Sequence, residues 1–430
     1  MNKKRIAFHT LGCKLNFAET SGLSRDLETD YQIVDFTDSA DYYVVHSCSV
    51  TAMAEKKCRS YIRQAHQRNT EANIIVIGCM AQLRSEQLSK IEGVKLVLGN
   101  SEKFSLKEYL QNNSVKQNDY INVSNILKSR EFYPSFSGSD RTRTFVKIQD
   151  GCDYFCSYCT IPFARGRSRS NTISETMAQI RAAMENDPKE VVLTGVNIGD
   201  FGKGNNETLF ALLQEIEKSD FNIRFRLSSI EPDLLTDPII DLVAGSKTFM
   251  PHFHIPLQSG SDGVLKLMKR HYDSELFINR VNFIKNKLPH ACIAADVITG
   301  FPGENEEEHE ETFSLITQLP ISYLHVFPFS ERPGTLASGF PDKINPGIIR
   351  ARVDKLLELG EIKKRTFLKE NFGRIDKVLF ESEDNNGFMS GFTSNYIRVR
   401  TPFRKDLVNK IIEIRLDTLD KENVYCYSTL

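Results

Sequence analysis

The chain is 430 residues long, with 55 lysines and arginines against 56 aspartates and glutamates and a formal net charge of −1. That length provides for two or three domains, and the near-neutral balance excludes bulk charge as the means of holding a polyanion, so any such contact must come from local patches. The basic start, Met1 to Thr10, has too short an apolar run for a signal-peptide core, and no later stretch approaches a membrane span; the expected location is the cytoplasm, where nine cysteines read as metal ligands before disulfides.

The first hundred residues alternate short apolar strands with polar helical stretches, the pattern of an α/β domain with a mainly parallel sheet. Strands are predicted at Arg5 to Thr10, Tyr31 to Phe36, Tyr42 to Ser47 and Asn73 to Gly78, with a helix over Thr51 to Arg68. Cys13 follows the first strand, Cys48 ends the third and Cys79 follows the fourth. Parallel strands share a direction, so the three cysteines gather at the carboxyl edge of the sheet, where open α/β sheets place ligands. Free cysteine is also a common core residue. Three at equivalent strand ends favour a metal centre with one open coordination position, whereas Cys58 inside the helix reads as structural, as do Cys292 and Cys426.

Residues 1–127 are assigned to this first domain. The stretch 128–143 lacks a sustained period and is rich in Ser, Pro and Gly, which suits a linker. A strand over Thr144 to Gln149 then delivers Gly151-Cys152-Asp153-Tyr154-Phe155-Cys156-Ser157-Tyr158-Cys159. A 4Fe-4S cube normally takes four thiolates and structural zinc four ligands, so three clustered cysteines leave one position open; a zinc knot completed by a distant cysteine or histidine is the plainer alternative. Strands follow at Glu190 to Thr194, Ile223 to Ser229, His252 to Gln258, Cys292 to Thr299 and Tyr323 to Phe329. Helical patterns lie between them at Ile173 to Asn186, Leu209 to Lys218, Ser274 to Leu288 and Glu306 to Gln318. Six such strands make a partial (β/α)6 barrel over 144–366, whose functional groups come from the carboxyl ends of the strands. Those ends carry Thr194, Ser229, Gln258 and the turn from Asp296 to Gly303. Phe163 to Ser170, with Arg165, Arg167 and Arg169, joins Arg141 and Arg143 in a basic patch at the cysteine loop, placed to meet phosphates or a carboxylate. A helix over Asn345 to Asn371 leads into short strands at Lys377 to Glu381, Tyr396 to Arg400 and Ile411 to Leu416, a small all-β domain over 367–430. Its tail from residue 371 holds nine basic and nine acidic residues, leaving Arg398, Arg400, Arg404 and Lys405 with Tyr396 as the candidate nucleic-acid face.

Cys152-x3-Cys156-x2-Cys159 resembles the cluster loop of radical S-adenosylmethionine (SAM) enzymes. The Cys13, Cys48 and Cys79 segments, in that order before it, resemble the amino-terminal domain of the methylthiotransferases within that superfamily, and the last domain resembles their RNA-binding TRAM barrel. The resemblance implies two 4Fe-4S clusters and SAM as cofactors. Cys152, Cys156 and Cys159 would hold the cluster that cleaves SAM to a 5′-deoxyadenosyl radical. Cys13, Cys48 and Cys79 would hold an auxiliary cluster whose open iron carries the sulfur. Thr194, Ser229 and Gln258 correspond to SAM contacts. The wording from Lys147 to Gly166, with Thr10 to Lys14, is similar to the branch that modifies C2 of N6-threonylcarbamoyladenosine at position 37 of tRNA. His46 and Leu15 depart from it, standing where asparagine and valine are more usual. The implied partners are the tRNA anticodon stem-loop, a reductant such as flavodoxin or ferredoxin, and a sulfur donor that the sequence does not identify; a membrane is not among them. Sister branches act on isopentenyladenosine in tRNA or on an aspartate of a ribosomal protein. Electron transfer by the auxiliary cluster, and a non-catalytic RNA-binding protein stabilised by metal, are the remaining readings.

Overall fold

Strands buried on both faces need helices on both sides, and the first sheet follows that rule. The computed structural model describes residues 3–49, 51–111, 120–138, 142–382, 387–420 and 426–427. In it β1 (Arg5–Thr10), β2 (Gln32–Val34), β3 (Tyr42–Ser47), β4 (Asn73–Gly78), β5 (Val94–Leu98) and β6 (Tyr120–Asn122) form one parallel sheet in the order β2-β1-β3-β4-β5-β6. Every residue of β3 is buried. The helices α1 (Lys14–Leu27), α2 (Ala52–Arg68), α3 (Cys79–Ser89) and α4 (Leu106–Gln111) cover the sheet. One apolar core forms around Tyr43, Val45, Ile74 and Val76, the other around Val44, Ile75, Ile77 and Leu96. Cys58 is fully buried in the first of these, as its place inside a helix suggests. β2 is shorter than predicted because Asp35 accepts a 2.8 Å hydrogen bond from the Thr37 amide, a turn that ends the strand. β5 escaped notice because Lys95 interrupts its apolar run.

Within the predicted linker, β7 (Ser135–Phe136) pairs antiparallel with β8 (Arg143–Lys147). Arg141 lies outside the described residues. β8, β9 (Glu190–Thr194) and β10 (Arg224–Leu227) are parallel neighbours, as are β11 (His252–His254), β12 (Cys292–Thr299) and β13 (Tyr323–Pro328). Hydrogen bonds from the Phe225 amide to Thr248 O and from the Met250 amide to Phe225 O, both 2.8 Å, span the gap between the two triplets. The result is the expected six-stranded partial barrel. Outside it lie α5 (Ile161–Arg165), α6 (Ile173–Met184), α7 (Leu209–Lys218), α8 (Asp237–Gly245), α9 (Asp262–Leu267), α10 (Ser274–Lys287) and α11 (Glu306–Gln318). α8, which is not among the predicted helices, carries Pro238 in its first turn, where no backbone donor is needed.

The long α12 (Pro346–Glu370), capped by Asn345, leads to β14 (Ile375–Phe380), β15 (Phe388–Phe392), β16 (Arg398–Pro402), β17 (Ile411–Arg415), β18 (Thr418–Leu419) and β19 (Cys426–Tyr427). They form a mostly antiparallel sheet in the order β17-β14-β15-β16-β19-β18. Tyr396 has φ +69°, which delays β16 beyond its predicted start. The side chain of Cys426 lies outside the described residues; Cys292 is buried in the core beneath this sheet. Among the described residues no helix is long and apolar enough to cross a membrane.

Candidate active site

The register of the first sheet assembles the amino-terminal cysteines. Thr10 pairs with His46 and Ser47 with Gly78, so the residues that follow β1, β3 and β4 emerge at one rim. Cys13 caps α1, Cys48 follows β3 and Cys79 opens α3. Gly12, at φ +100°, permits the close approach: a Cβ there would sit 2.8 Å from the Cys48 sulfur. Gly78, at φ +95°, serves the same end, since its Cβ would lie 2.5 Å from the His46 ring. Asn16 ties the rim together, donating to Leu11 O (2.7 Å) and Ser47 O (3.2 Å), while Asn100 donates to the Cys79 sulfur at 3.7 Å.

The second triad is held by a single loop. Phe155 sits at φ +49°, which turns the chain between Cys152 and Cys156. Ser157 anchors the loop to the far side of the barrel through Met268 O, Leu267 O and the Ala337 amide. The Tyr154 amide donates to the Cys152 sulfur (3.5 Å), the Ile161 amide to the Cys159 sulfur (3.4 Å), and Arg270 Nη1 to the Cys156 sulfur (3.2 Å). Arg270 also binds the Glu231 carboxylate. Burial pushes the Cys159 thiol up to about 12 and raises Cys156 despite the opposing guanidinium. Such thiols lose their protons to a metal rather than to water, and donors aimed at all three sulfurs suit the thiolates of a bound cluster.

Two cavities meet at this site. One of about 240 Å³ is lined by Cys159, Tyr158, Gln258, Asp296, Phe327 and Arg332. The other, about 910 Å³, is the barrel lumen, lined by Cys13, Lys14, Thr194, Ser229, His254 and His325, with Tyr396 and Arg398 at its far end. Phe327 lines both. Asp296, on the wall between them, accepts from His254 Nε2 (2.8 Å) and His325 Nδ1 (3.1 Å). Burial works against the Asp296 charge, yet those two hydrogen bonds hold its carboxyl well below the usual range. Thus Gln258 shares a chamber with Cys159, whereas Thr194 and Ser229 share one with Cys13. Burial, with Arg143 and Arg226 nearby, lowers the Lys14 ammonium to about 8.

Between the triads runs a seam of buried charge. Glu19 accepts from Lys103 (2.7 Å), Lys147 (2.7 Å) and Arg165 (3.1 Å); Asp150 pairs with Lys147 (2.8 Å), Arg165 (2.9 Å) and Arg169 (3.2 Å). Burial disfavours the Glu19 carboxylate, but Arg165, Lys103 and Lys147 outweigh it and hold its pKa well below the ordinary value. Arg165 Nη2 also donates to Asn16 (2.6 Å), and Asn100 to Ala164 O (2.6 Å), so the seam joins the rim of Cys13 and Cys79 to the helix that follows Cys159. This corrects one member of the expected basic patch: Arg165 is 1% exposed and faces inward, whereas Arg167 is exposed, 3.5 Å from Asp153. Of the expected nucleic-acid face, Arg404 and Lys405 are exposed and Tyr396 is turned inward. Tyr396 stacks between His252 and Phe392 and accepts from Arg143 at 3.1 Å. Arg404 pairs with Asp406, and Arg400 with Asp420.

Sequence reasoning missed Arg270, which lies far from the loop in the chain and has no motif to mark it. It also missed Asn197, buried in the Leu193 to Gly199 turn, whose side-chain amide has no partner among the described residues. That glycine-bearing turn was the available signal.

A partial barrel with a three-cysteine loop at its mouth, preceded by a sheet bearing a second triad, defines a radical SAM enzyme with an added sulfur-ligand centre. The Radical SAM superfamily matches residues 146–316, and Uncharacterized protein family UPF0004 matches residues 5–99. The chain is 37% identical over 423 residues to the threonylcarbamoyladenosine tRNA methylthiotransferase MtaB of Bacillus subtilis, covering 96% of this chain and 93% of that one. It is 35% identical to MtaB of Aquifex aeolicus, over 95% and 99% of the two chains, and 32% identical to the tRNA-2-methylthio-N(6)-dimethylallyladenosine synthase of Syntrophotalea carbinolica, over 96% and 97%. Among solved structures, the radical SAM methyltransferase TsrM of Kitasatospora setae with cobalamin and a [4Fe-4S] cluster bound shares the fold, with a TM-score of 0.58 at 13% identity, covering 90% of this chain and 80% of that one. The chain belongs to the radical SAM tRNA methylthiotransferases.

Proposed function

We propose that the protein inserts a methylthio group at C2 of N6-threonylcarbamoyladenosine at position 37 of tRNA, replacing C–H by C–S–CH3 with one SAM as methyl donor and a second as radical source. The observation that carries this reading is the shared wall: Cys13 and Cys159 line adjoining chambers that meet at Phe327 and Asp296. A base in the lumen would lie within reach of both centres. Cys152, Cys156 and Cys159 hold one 4Fe-4S cluster and Cys13, Cys48 and Cys79 the other. The clusters supply the electron that cleaves SAM and the sulfur that is inserted. Gln258 contacts SAM from the chamber of Cys159 and Thr194 and Ser229 from the adjoining lumen, Arg270 neutralises charge at the Cys156 sulfur, and the apolar walls at Phe327 and Tyr158 keep water from reactive species. A small reductant such as flavodoxin or ferredoxin delivers electrons, and the anticodon stem-loop is the macromolecular partner in the cytoplasm. The working parts are 1–127 for the auxiliary centre, 144–366 for SAM and 367–430 for RNA, joined through 128–143.

Nucleoside mass spectrometry of tRNA from cells with and without the gene, and with Cys156→Ala, tests the reading. Loss of 2-methylthio-N6-threonylcarbamoyladenosine, with its precursor accumulating in both deficient strains, is the expected result. Loss of the dimethylallyl nucleoside instead would move the substrate to that of the Syntrophotalea relative. Unchanged tRNA would leave the ribosomal-protein and non-catalytic readings.

A further inference from the structure

The lumen's lining is poor in carboxylates. Its lining includes the basic Lys14, Lys364 and Arg398 and the imidazoles His252, His254 and His325, against one acid, Glu361. The nearby carboxylates are engaged: Glu190 by Arg226 at 2.9 Å, Asp296 by His254 and His325. Lys14 has no hydrogen bond or ion pair among the described residues. It stands at the first position of α1, directly after Cys13. A half-buried ammonium with no carboxylate partner in the protein is stabilised by a carboxylate that enters beside it.

The modified base brings one. The threonine of N6-threonylcarbamoyladenosine keeps its α-carboxylate, ionised at neutral pH. Its ureido N–H closes onto N1 of the purine, which folds the threonyl arm to the side of the ring that carries C2. A base placed with C2 toward the sulfur held near Cys13 therefore presents its carboxylate to the neighbouring side chain. A dimethylallyl group offers no charge, so the same pose would leave the ammonium facing apolar carbon.

We propose that Lys14 is a specificity-determining residue whose ammonium pairs with the carboxylate of the threonylcarbamoyl group when the base enters the lumen; this rests on the substrate reading given above. The test uses the full-length enzyme with both clusters loaded and two synthetic anticodon stem-loops, one with the free threonylcarbamoyl acid and one with its methyl ester. Affinity is read by fluorescence anisotropy, and methylthio product is measured in parallel. Wild type should bind the acid roughly tenfold to a hundredfold more tightly than the ester, the range of a hydrogen bond to a charged group. Lys14→Met and Lys14→Gln should bind both RNAs as wild type binds the ester, and Lys14→Arg should restore part of the preference. Equal binding of acid and ester by wild type overturns the proposal without need of any variant. So does a preference that survives in Lys14→Met, or an equal loss on both RNAs, which would place the ammonium against RNA phosphate or the SAM carboxylate. If wild type forms no product on the acid RNA, the substrate reading fails instead, and the product assay distinguishes that outcome.

Discussion

The two cysteine triads put one donor type into two kinds of structure. Cys152, Cys156 and Cys159 lie in one loop, where two backbone amides and Arg270 address the sulfurs. Cys13, Cys48 and Cys79 come from three strands, and only the parallel register of β1, β3 and β4 brings them together. A loop site survives any change that leaves the loop anchored. A sheet-edge site is as secure as the sheet's register, since a one-residue slip turns every side chain to the other face. The seam around Glu19 couples the two, so the distributed site also depends on domain docking.

The sharpest test separates the triads. Cys156→Ala should abolish SAM cleavage and product together, whereas Cys79→Ala should abolish product while reductive SAM cleavage continues; each should lose about half of the iron, read by iron analysis and electron paramagnetic resonance. Next comes the seam. Glu19→Ala leaves Lys103, Lys147 and Arg165 buried around a missing carboxylate and should destabilise the apoprotein by about 3–5 kcal/mol, seen as a lowered unfolding midpoint. The Cys152 loop, anchored within the barrel, should still take up its cluster in that variant. Removing the cation at one sulfur is milder. Arg270→Met should lower the midpoint potential of the cluster in the Cys152 loop by on the order of 50 mV, the equivalent of one hydrogen bond in a one-electron couple, and leave the other cluster unchanged. Smallest is the rim contact between Glu55 and Arg332, at 2.9 Å across the two domains. Glu55→Gln keeps an oxygen for the largely buried Arg332 guanidinium and should cost about 1 kcal/mol, measured by denaturant unfolding of the apoprotein.

Much of this was legible because its determinants are local. The spacing of Cys152, Cys156 and Cys159, the β1, β3, β4, β9 and β12 strands, and the α7 and α11 helices all announce themselves in short windows of sequence. The amino-terminal triad could be read because parallel strands make strand ends equivalent. What escaped depends on approach between distant segments. Nothing around Arg165 distinguishes a solvated arginine from one that meets Glu19 across a domain boundary, and nothing around Tyr396 says that it will lie against His252. Division of the active region into two chambers was equally hidden, because Gln258 and Thr194 occupy comparable strand ends and part company only when the barrel curves.

The lumen takes its walls from every part of the chain: Cys13 and Lys14 from the first sheet, Thr194, Ser229 and His254 from the barrel, Tyr396 and Arg398 from the last. Units that look exchangeable along the gene are therefore not exchangeable in evolution. A chimera cut at the junctions would carry one relative's floor beneath another's ceiling, each shaped to a different nucleoside. Recombination between branches should be purged and point substitution along the shared walls retained, so that the whole chain is inherited as the unit of specificity.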